Sequence, residues 1–248
     1  MPKDQTETIV LRTFDVGDQD KIGVFFSRNR GIVRGIAKGA RKFGNRFGSC
    51  LEPLSHIHIY FYEKENKDLV TISHCDLLES FFEIQSDLST AFTLRYFSEL
   101  IENSLPSRSE DDILFRLLIQ ILRALKQGKD LVFLTAYFEL WFLKINGFFP
   151  DLKKCKKCRK KIKSFGWLSS KRDGILCRQC RTNHKYKISS EDNSLFSWIL
   201  TTPPTSEEKP DFSENQIQKA RKILKDMIVF HMETRPRFPD DLKKHFHT

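Results

Sequence analysis

Two pairs of cysteines, CKKC at 155–158 and CRQC at 177–180, are separated by eighteen residues. No other feature of the chain restricts its folding as tightly. Each CxxC places two thiolates on one tight turn, and two such turns facing each other complete a tetrahedron around Zn²⁺. Four protein ligands close the coordination sphere and leave no position for water. The spacing therefore predicts one structural, non-catalytic zinc ion held by Cys155, Cys158, Cys177 and Cys180. The lysines around both pairs favour the thiolate form. The alternatives are two redox-active CxxC pairs or plain surface thiols. His184, four residues past Cys180, could replace a cysteine, although four already suffice. Cys50 and Cys75 sit in strand-like surroundings and read as small buried fillers with free thiols. Secreted domains spread cysteines as a disulfide framework, whereas tight pairing points to metal in a reducing compartment.

Up to about residue 75 the apolar residues come in short β-branched and aromatic runs: TIVLRTF, KIGVFFS, GIVRGIA, HIHIYFY and DLVTISH. They are broken by VGDQD, RNRG, a longer basic loop and KENKD. Five strands, with a link between the third and fourth that has room for a helix, is the order of an OB-fold barrel. Other small barrels share this periodicity. From about residue 76 the period changes. Asp87 can cap a helix through LSTAFTLRYFSELIENSL, and Ser109, with Asp112 as its partner three residues on, can cap the next, which stops at Gly128. A third helix runs from about Leu131 to Asn146 and ends at Gly147. It is apolar on most faces and belongs at the centre of a bundle. A further helix is expected near Leu195–Leu200. TTPPTSEEKPDF reads as a surface loop, and Ser213 with Gln216 opens a last helix to about residue 233. The expected fold is multidomain α+β. An N-terminal five-stranded OB-fold β-barrel (1–78) is followed by an α-helical bundle domain (79–150 and 188–248) with an inserted four-cysteine zinc motif (151–187).

The net charge of +10 is concentrated in two places. Residues 151–187 carry 14 basic and 2 acidic groups, and Arg28 to Arg46 holds seven Lys/Arg with no Asp or Glu. Solubility does not require such concentration, and two basic patches point to a polyanionic partner. In VRGIAKGARKFGNRFG the glycines at 35, 39 and 44 let the backbone run close to a phosphate chain, with Arg34, Lys38, Arg41, Lys42 and Arg46 beside it. Phe43 and Phe47 alternate with the charges as base-stacking partners would, although such residues are more often core plugs beneath a loop. The rival reading of the charges is a solvated loop. A P-loop is excluded. Gly39 and Gly44 have the G-x4-G spacing, but Asn45-Arg46 follow where Lys-Ser/Thr is required, and a barrel is the wrong context. A zinc deaminase needs His-x-Glu ahead of Pro-Cys-x-x-Cys. His231-Met232-Glu233 comes after both cysteine pairs, so His231 reads as an ordinary helix residue. No nucleophile–base or paired-carboxylate arrangement stands out, and Asp111/Asp112 read as helix-start residues.

The run G-I-V-R-G-I-A-K-G-A-R-K, followed by R-F-G-S and L-E-P-L, resembles the N-terminal domain of the RecO family of bacterial DNA repair proteins. FTLRYFSELIE (92–102) and FELWFLKINGFFPDLKKCKKC (138–158), with a G-F-x-P turn just before the first CxxC, extend the resemblance over nearly the whole chain. It implies a recombination mediator without enzymatic chemistry. Such a protein binds single- and double-stranded DNA, anneals complementary strands, and works with RecR and the acidic C-terminal tail of single-stranded DNA-binding protein to load recombinase. It also implies that Lys38, Gly39, Ala40, Arg41 and Lys42 match the family's basic loop, and that the four paired cysteines match its zinc ligands. The C-terminal stretch FHMETRPRFPDDLKKHF keeps a histidine but lacks the family's glycine-containing turn and Leu-Lys-Ser, so a partner contact through that end is not carried over.

The start MPKDQTETIV holds no apolar run, and LVFLTAYFELWFL (131–143) is too short to span a bilayer and is interrupted by Glu139. Neither a signal peptide nor a membrane partner is expected, and the bacterial cytoplasm, at the nucleoid, is the expected location. Arg95, Arg116 and Arg123 are candidates to receive a partner's acidic tail and are equally well explained as solvated helix faces. Two rivals remain. One is an RNA-binding or ribosome-associated zinc/OB module. The other is a nuclease, which needs a carboxylate cluster for Mg²⁺ that the sequence does not present.

Overall fold

The computed structural model describes residues 3–63, 69–105, 109–181, 186–208, 211–232 and 236–239. Five strands open the chain: β1 (Lys3–Val16), β2 (Asp20–Ser27), β3 (Gly31–Ala37), β4 (His56–Tyr62) and β5 (Val70–Glu79). They close into a barrel in the order β1-β2-β3-β5-β4, with β4 returning to β1. All neighbours are antiparallel except β3 and β5, which run parallel from Gly35↔Val70 to Ala37↔Ile72. This is the OB-fold arrangement that the five short β-branched and aromatic runs predict.

β1 is longer than its apolar run because its polar start still alternates. Thr6 and Thr8 point inward and are buried, and Thr6 Oγ1 meets Ser27 Oγ at 2.6 Å. A bulge at Leu11 shifts the register between Val10 and Arg12, bending β1 so that its first half pairs with β4 and its second with β2. Val10, Phe25, Ile57, Ile59, Phe61 and Ile72 fill the interior and are fully excluded from water. Gly35 belongs to this packing rather than to a phosphate path. It is buried, and a Cβ there would lie 2.6 Å from Ile72 Cδ1. The link between β3 and β4 folds as successive turns and forms no helix. Gly39 and Gly44 take φ of +72° and +67°, which a right-handed helix cannot accommodate.

A 3₁₀ turn at Glu83–Gln85 leads into α1 (Leu88–Ser104), α2 (Asp112–Lys126) and α3 (Leu131–Ile145). Asp87 caps α1 as expected, accepting from Thr90 N at 2.8 Å. The cap of α2 is Asp111, whose Oδ1 accepts from Leu114 N at 2.9 Å, and not Ser109. A carboxylate one residue before the helix outcompetes a hydroxyl three before it. Ser109 instead passes close over Gly31, where a Cβ would sit 2.5 Å from Ser109 O. Gly128 and Gly147 end α2 and α3 in left-handed conformations.

The cysteine segment adds three short strands that the sequence pattern did not predict: β6 (Phe165–Leu168), β7 (Ile175–Leu176) and β8 (Lys187–Ser189), in the order β7-β6-β8. α4 (Ser190–Thr201) starts on a capping box of Ser189 and Asp192, and α5 (Glu214–His231) on one of Ser213 and Gln216. α3 is buried on most of its surface and packs against α4 and α5. Glu139 in its middle is fully buried, with Arg221 Nη2 of α5 at 3.6 Å. A carboxylate at such a place requires a cation nearby.

The chain divides into two compact units, Met1–Leu122 with Pro236–Thr248, and Arg123–Arg235. In the first, Phe115 of α2 meets Phe26 of the barrel edge-on at 5.5 Å. In the second, Trp141 Nε1 of α3 donates to Ile199 O of α4 at 3.1 Å. Among the described residues no helix is long and apolar enough to cross a membrane.

Candidate functional site

The four paired cysteines converge, and each pair owes its shape to backbone hydrogen bonds. Cys155 N donates to Lys160 O and Arg159 N to Cys155 O, both at 2.8 Å, closing the first knuckle. Arg159 completes it with φ +63°. In the second knuckle Cys180 N and Arg181 N both donate to Cys177 O, at 3.1 and 3.0 Å. A bridge between Cys155 and Ile175 of β7 joins the knuckles, and Cys177 N donates to Cys155 Sγ at 3.4 Å. All four Sγ atoms lie within 4.8 Å of one another, with Cys158 and Cys177 at 3.7 Å. A Zn–S length of about 2.3 Å sets the edge of a tetrahedron at about 3.8 Å, so the group fits a four-thiolate ion. Burial raises the Cys155 thiol, but N–H groups around it more than compensate and bring it down to about 6. Cys180, hydrogen-bonded to the Cys158 sulfur and beside the other thiols, is pushed up to about 12. The four sulfurs, held this close, could hold a metal ion. His184 lies outside the described residues.

Around this centre Lys153, Lys154, Lys157, Arg159, Lys160, Lys161 and Lys163 are exposed. Lys156 pairs with Asp173. Arg181 lies over Trp167 at 4.3 Å and Lys187 Nζ over Phe165 at 4.1 Å, so these two cations are partly engaged by the small sheet.

The basic loop on the barrel sorts its cations into two groups. Arg34, on the outer face of β3, donates to Glu102 Oε1 of α1 at 3.0 Å, and the same oxygen takes Arg12 at 2.6 Å. Arg41 fastens the loop to the β1–β2 turn, with Nη1 on Gly17 O at 2.9 Å and Nε 3.4 Å from Asp15 Oδ2. Both are occupied in holding the fold. Arg46 sends Nε to Ser73 O at 2.8 Å and lies over the Phe47 ring at 4.7 Å, and it remains exposed. Lys38 and Lys42 are exposed and, among the described residues, have no ion-pair partner. Lys38, Lys42, Phe43, Asn45 and Arg46 line one cleft of about 420 Å³ at the barrel rim. Asp20 is the acid in its wall, and its Oδ1 is committed to Gly39 N at 2.8 Å.

The two phenylalanines of the loop have opposite fates. Phe47 is 2 % exposed and plugs the barrel, whereas Phe43 stands wholly in water. Asn45 sets this difference. Its Oδ1 accepts from Phe47 N and Gly48 N at 2.9 and 3.1 Å, and its Nδ2 donates to Lys42 O at 3.2 Å. Sequence spacing could not separate the two rings, because the turn built by Asn45 lies between them.

Residues 1–81 match the family model described as Recombination protein O N terminal, and residues 85–237 match Recombination protein O C terminal. The chain belongs to the RecO family. Among proteins named DNA repair protein RecO, that of Halalkalibacterium halodurans is 30% identical over 245 residues, covering 96% of this chain and 95% of its own. That of Geobacter metallireducens is 30% identical over 237 residues, covering 95% of both chains. That of Koribacter versatilis is 29% identical over 229 residues, covering 92% of this chain and 93% of its own. RecO proteins are proteins of DNA repair and recombination, and this chain carries both of the family's halves.

Three other residues singled out in the sequence are His231, Cys50 and Cys75. His231, the last residue of α5, stacks on Phe148 at 4.5 Å and 4° between planes, which fits the reading of a structural helix residue. Cys50 and Cys75 are free, buried thiols, as expected, and burial raises both.

Proposed function

We propose that this protein binds single- and double-stranded DNA without sequence preference, anneals complementary strands and, with RecR and the acidic C-terminal tail of single-stranded DNA-binding protein, helps load recombinase onto coated DNA. The observation that carries this reading is the rim cleft, where Lys38, Lys42, Arg46 and an exposed aromatic ring surround one opening with a single, already engaged acid. Cations that contact phosphates release counterions, and this gives affinity that falls steeply with salt. Contacts to backbone and base faces carry no sequence code. Two strands held on basic surfaces repel each other less, which favours pairing. No covalent chemistry is assigned to any residue.

The metal of the four-cysteine group is proposed to be a single zinc ion that cross-links residues 155–180. In functional terms the segments are 1–78 for strand binding, 79–150 with 188–248 for the helical domain, and 151–187 for the zinc insertion. Arg95 and Arg237 line a groove of about 700 Å³ between β1 and α1, which supports docking of an acidic tail on this helix. The DNA substrate proposed here and the family support a location at the nucleoid of a bacterial cytoplasm.

The test is annealing of complementary strands without nucleotide, bare and coated with single-stranded DNA-binding protein. Annealing of coated strands is the expected result. Tight DNA binding without annealing of either kind would overturn the mediator reading, and preference for RNA strands would replace it with an RNA-binding one.

A further inference from the structure

Phe43 is the most exposed large apolar side chain among the described residues, at 108% of its reference accessibility. A single exposed apolar residue normally needs no explanation, but three features set this one apart. It is not on a frayed segment. Lys42 N donates to Gly39 O and Asn45 N to Lys42 O, both at 3.1 Å, and Asn45 binds the turn from both sides, so the ring is carried on a cross-braced hairpin of hydrogen bonds. Gly44 follows it with φ +67°, and a Cβ there would meet nothing within 4 Å, so the space beside this turn is open. Finally, it shares its cleft with Lys38, Lys42 and Arg46.

A cation binds phosphate in any nucleic acid. A rigid aromatic face beside it adds affinity only where a base is free to leave its stack, because a paired base is already covered on both sides. We propose that Phe43 is a base-stacking residue that makes the rim cleft prefer single strands to duplex, with Lys38 and Lys42 holding the phosphates flanking the stacked base. This rests on the reading of the cleft as a DNA site. The ligand class is a single-stranded polynucleotide with an unstacked base. Phe47 plays no part in it, because its ring is inside the barrel.

The test compares Phe43→Ala, Phe43→Leu and Phe43→Trp with the parent full-length protein. Binding is measured by fluorescence anisotropy on labelled oligo-dT and on a hairpin duplex of equal charge. Because the ring touches nothing in the barrel, thermal midpoints should match the parent and folding should not confuse the result. The proposal predicts that Phe43→Ala and Phe43→Leu lose about tenfold in affinity for oligo-dT while duplex affinity stays within about twofold, with an unchanged slope against salt. Phe43→Leu keeps an apolar side chain but no π face, so its loss separates stacking from simple burial. In Phe43→Trp, affinity is kept and the added indole fluorescence is quenched by oligo-dT. The proposal is overturned if Phe43→Ala binds oligo-dT as the parent does, or if single-strand and duplex affinities fall together. Lys38→Glu with Lys42→Glu distinguishes the two levels of failure. Loss of all DNA binding there with no effect at Phe43 rejects stacking alone, and no effect in either variant rejects the cleft as the DNA site.

Discussion

Replacing Cys155 with serine removes the most buried of the four sulfurs, which also accepts a hydrogen bond from Cys177 N. What remains in the segment is slight. β7 has two residues and β8 three, and the buried apolar side chains are Trp167, Leu168, Ile175 and Ile188. Such a sheet does not hold itself together without a clamp. The metal proposed for the four cysteines would close a loop of 180 − 155 + 1 = 26 residues from Cys155 to Cys180. Treated as a cross-link, a loop of that length removes about 3.5 kcal/mol of chain entropy from the open state. Opening of the segment should therefore become more frequent by about two orders of magnitude. The fourteen basic residues of 151–187 make trypsin a direct reporter. In Cys155→Ser, zinc measured with a chromophoric chelator should fall from one per chain to almost none. Trypsin should cut within 153–187 about a hundredfold faster under conditions where cleavage follows the opening equilibrium. Helical circular dichroism should be retained, because α3, α4 and α5 have a core of their own, including Phe138, Leu195, Phe196, Leu224 and Ile228. Cys50→Ser, outside the cluster, is the control and should keep its zinc. If Cys155→Ser loses zinc and the segment resists trypsin as before, the argument that the metal holds the ribbon is wrong.

Further outcomes follow from the barrel and from α5. Phe47→Ala empties a fully enclosed volume and should destabilise the barrel by about 3–5 kcal/mol in urea unfolding, while Phe43→Ala should change it by less than about 0.5 kcal/mol. Equal effects would contradict the opposite placement of the two rings. His231 is held below its usual pKa of 6.5, chiefly by burial, so the folded state prefers it neutral. Its contribution to stability is complete above pH 6.5 and is lost as pH falls through the lowered folded value. His231→Phe, which preserves the stack on Phe148, should flatten the dependence of the thermal midpoint on acid pH. The same dependence in both proteins would assign it to other groups.

Much of this architecture could be read from the sequence because the signals are local. The β-branched and aromatic runs KIGVFFS and HIHIYFY give strands, Ser213 with Gln216 starts α5, and the spacing of four cysteines gives a group that could hold a metal ion. What escaped the sequence depends on residues far apart along the chain. Arg34 looks like a phosphate ligand until Glu102, 68 positions away, is found on its guanidinium. Arg41 looks the same until Gly17 and Asp15 are found beneath it. The strands of the cysteine segment were missed because β7 and β8 are too short to show a period. Thr6 was missed as a strand residue because it is a polar side chain that the barrel buries. The surplus of charge thus marked a loop, while only the tertiary structure separated the cations that hold the fold from Lys38 and Lys42, which are exposed.

The salt dependence of single-strand binding tests that separation most directly. The affinity of the full-length protein for oligo-dT should be measured from about 50 to 200 mM salt for the parent, for Lys38→Gln with Lys42→Gln, and for Arg41→Gln. Each phosphate contact on a single strand contributes about 0.7 to the slope of log affinity against log salt, so the double lysine variant should lose about 1.4 from the slope. Arg41→Gln, whose arginine is already engaged by the protein, should keep the parent slope. A lysine variant with the parent's slope, or an Arg41 variant that loses as much as the lysine pair, would contradict the assignment of the rim cleft as the DNA-binding surface.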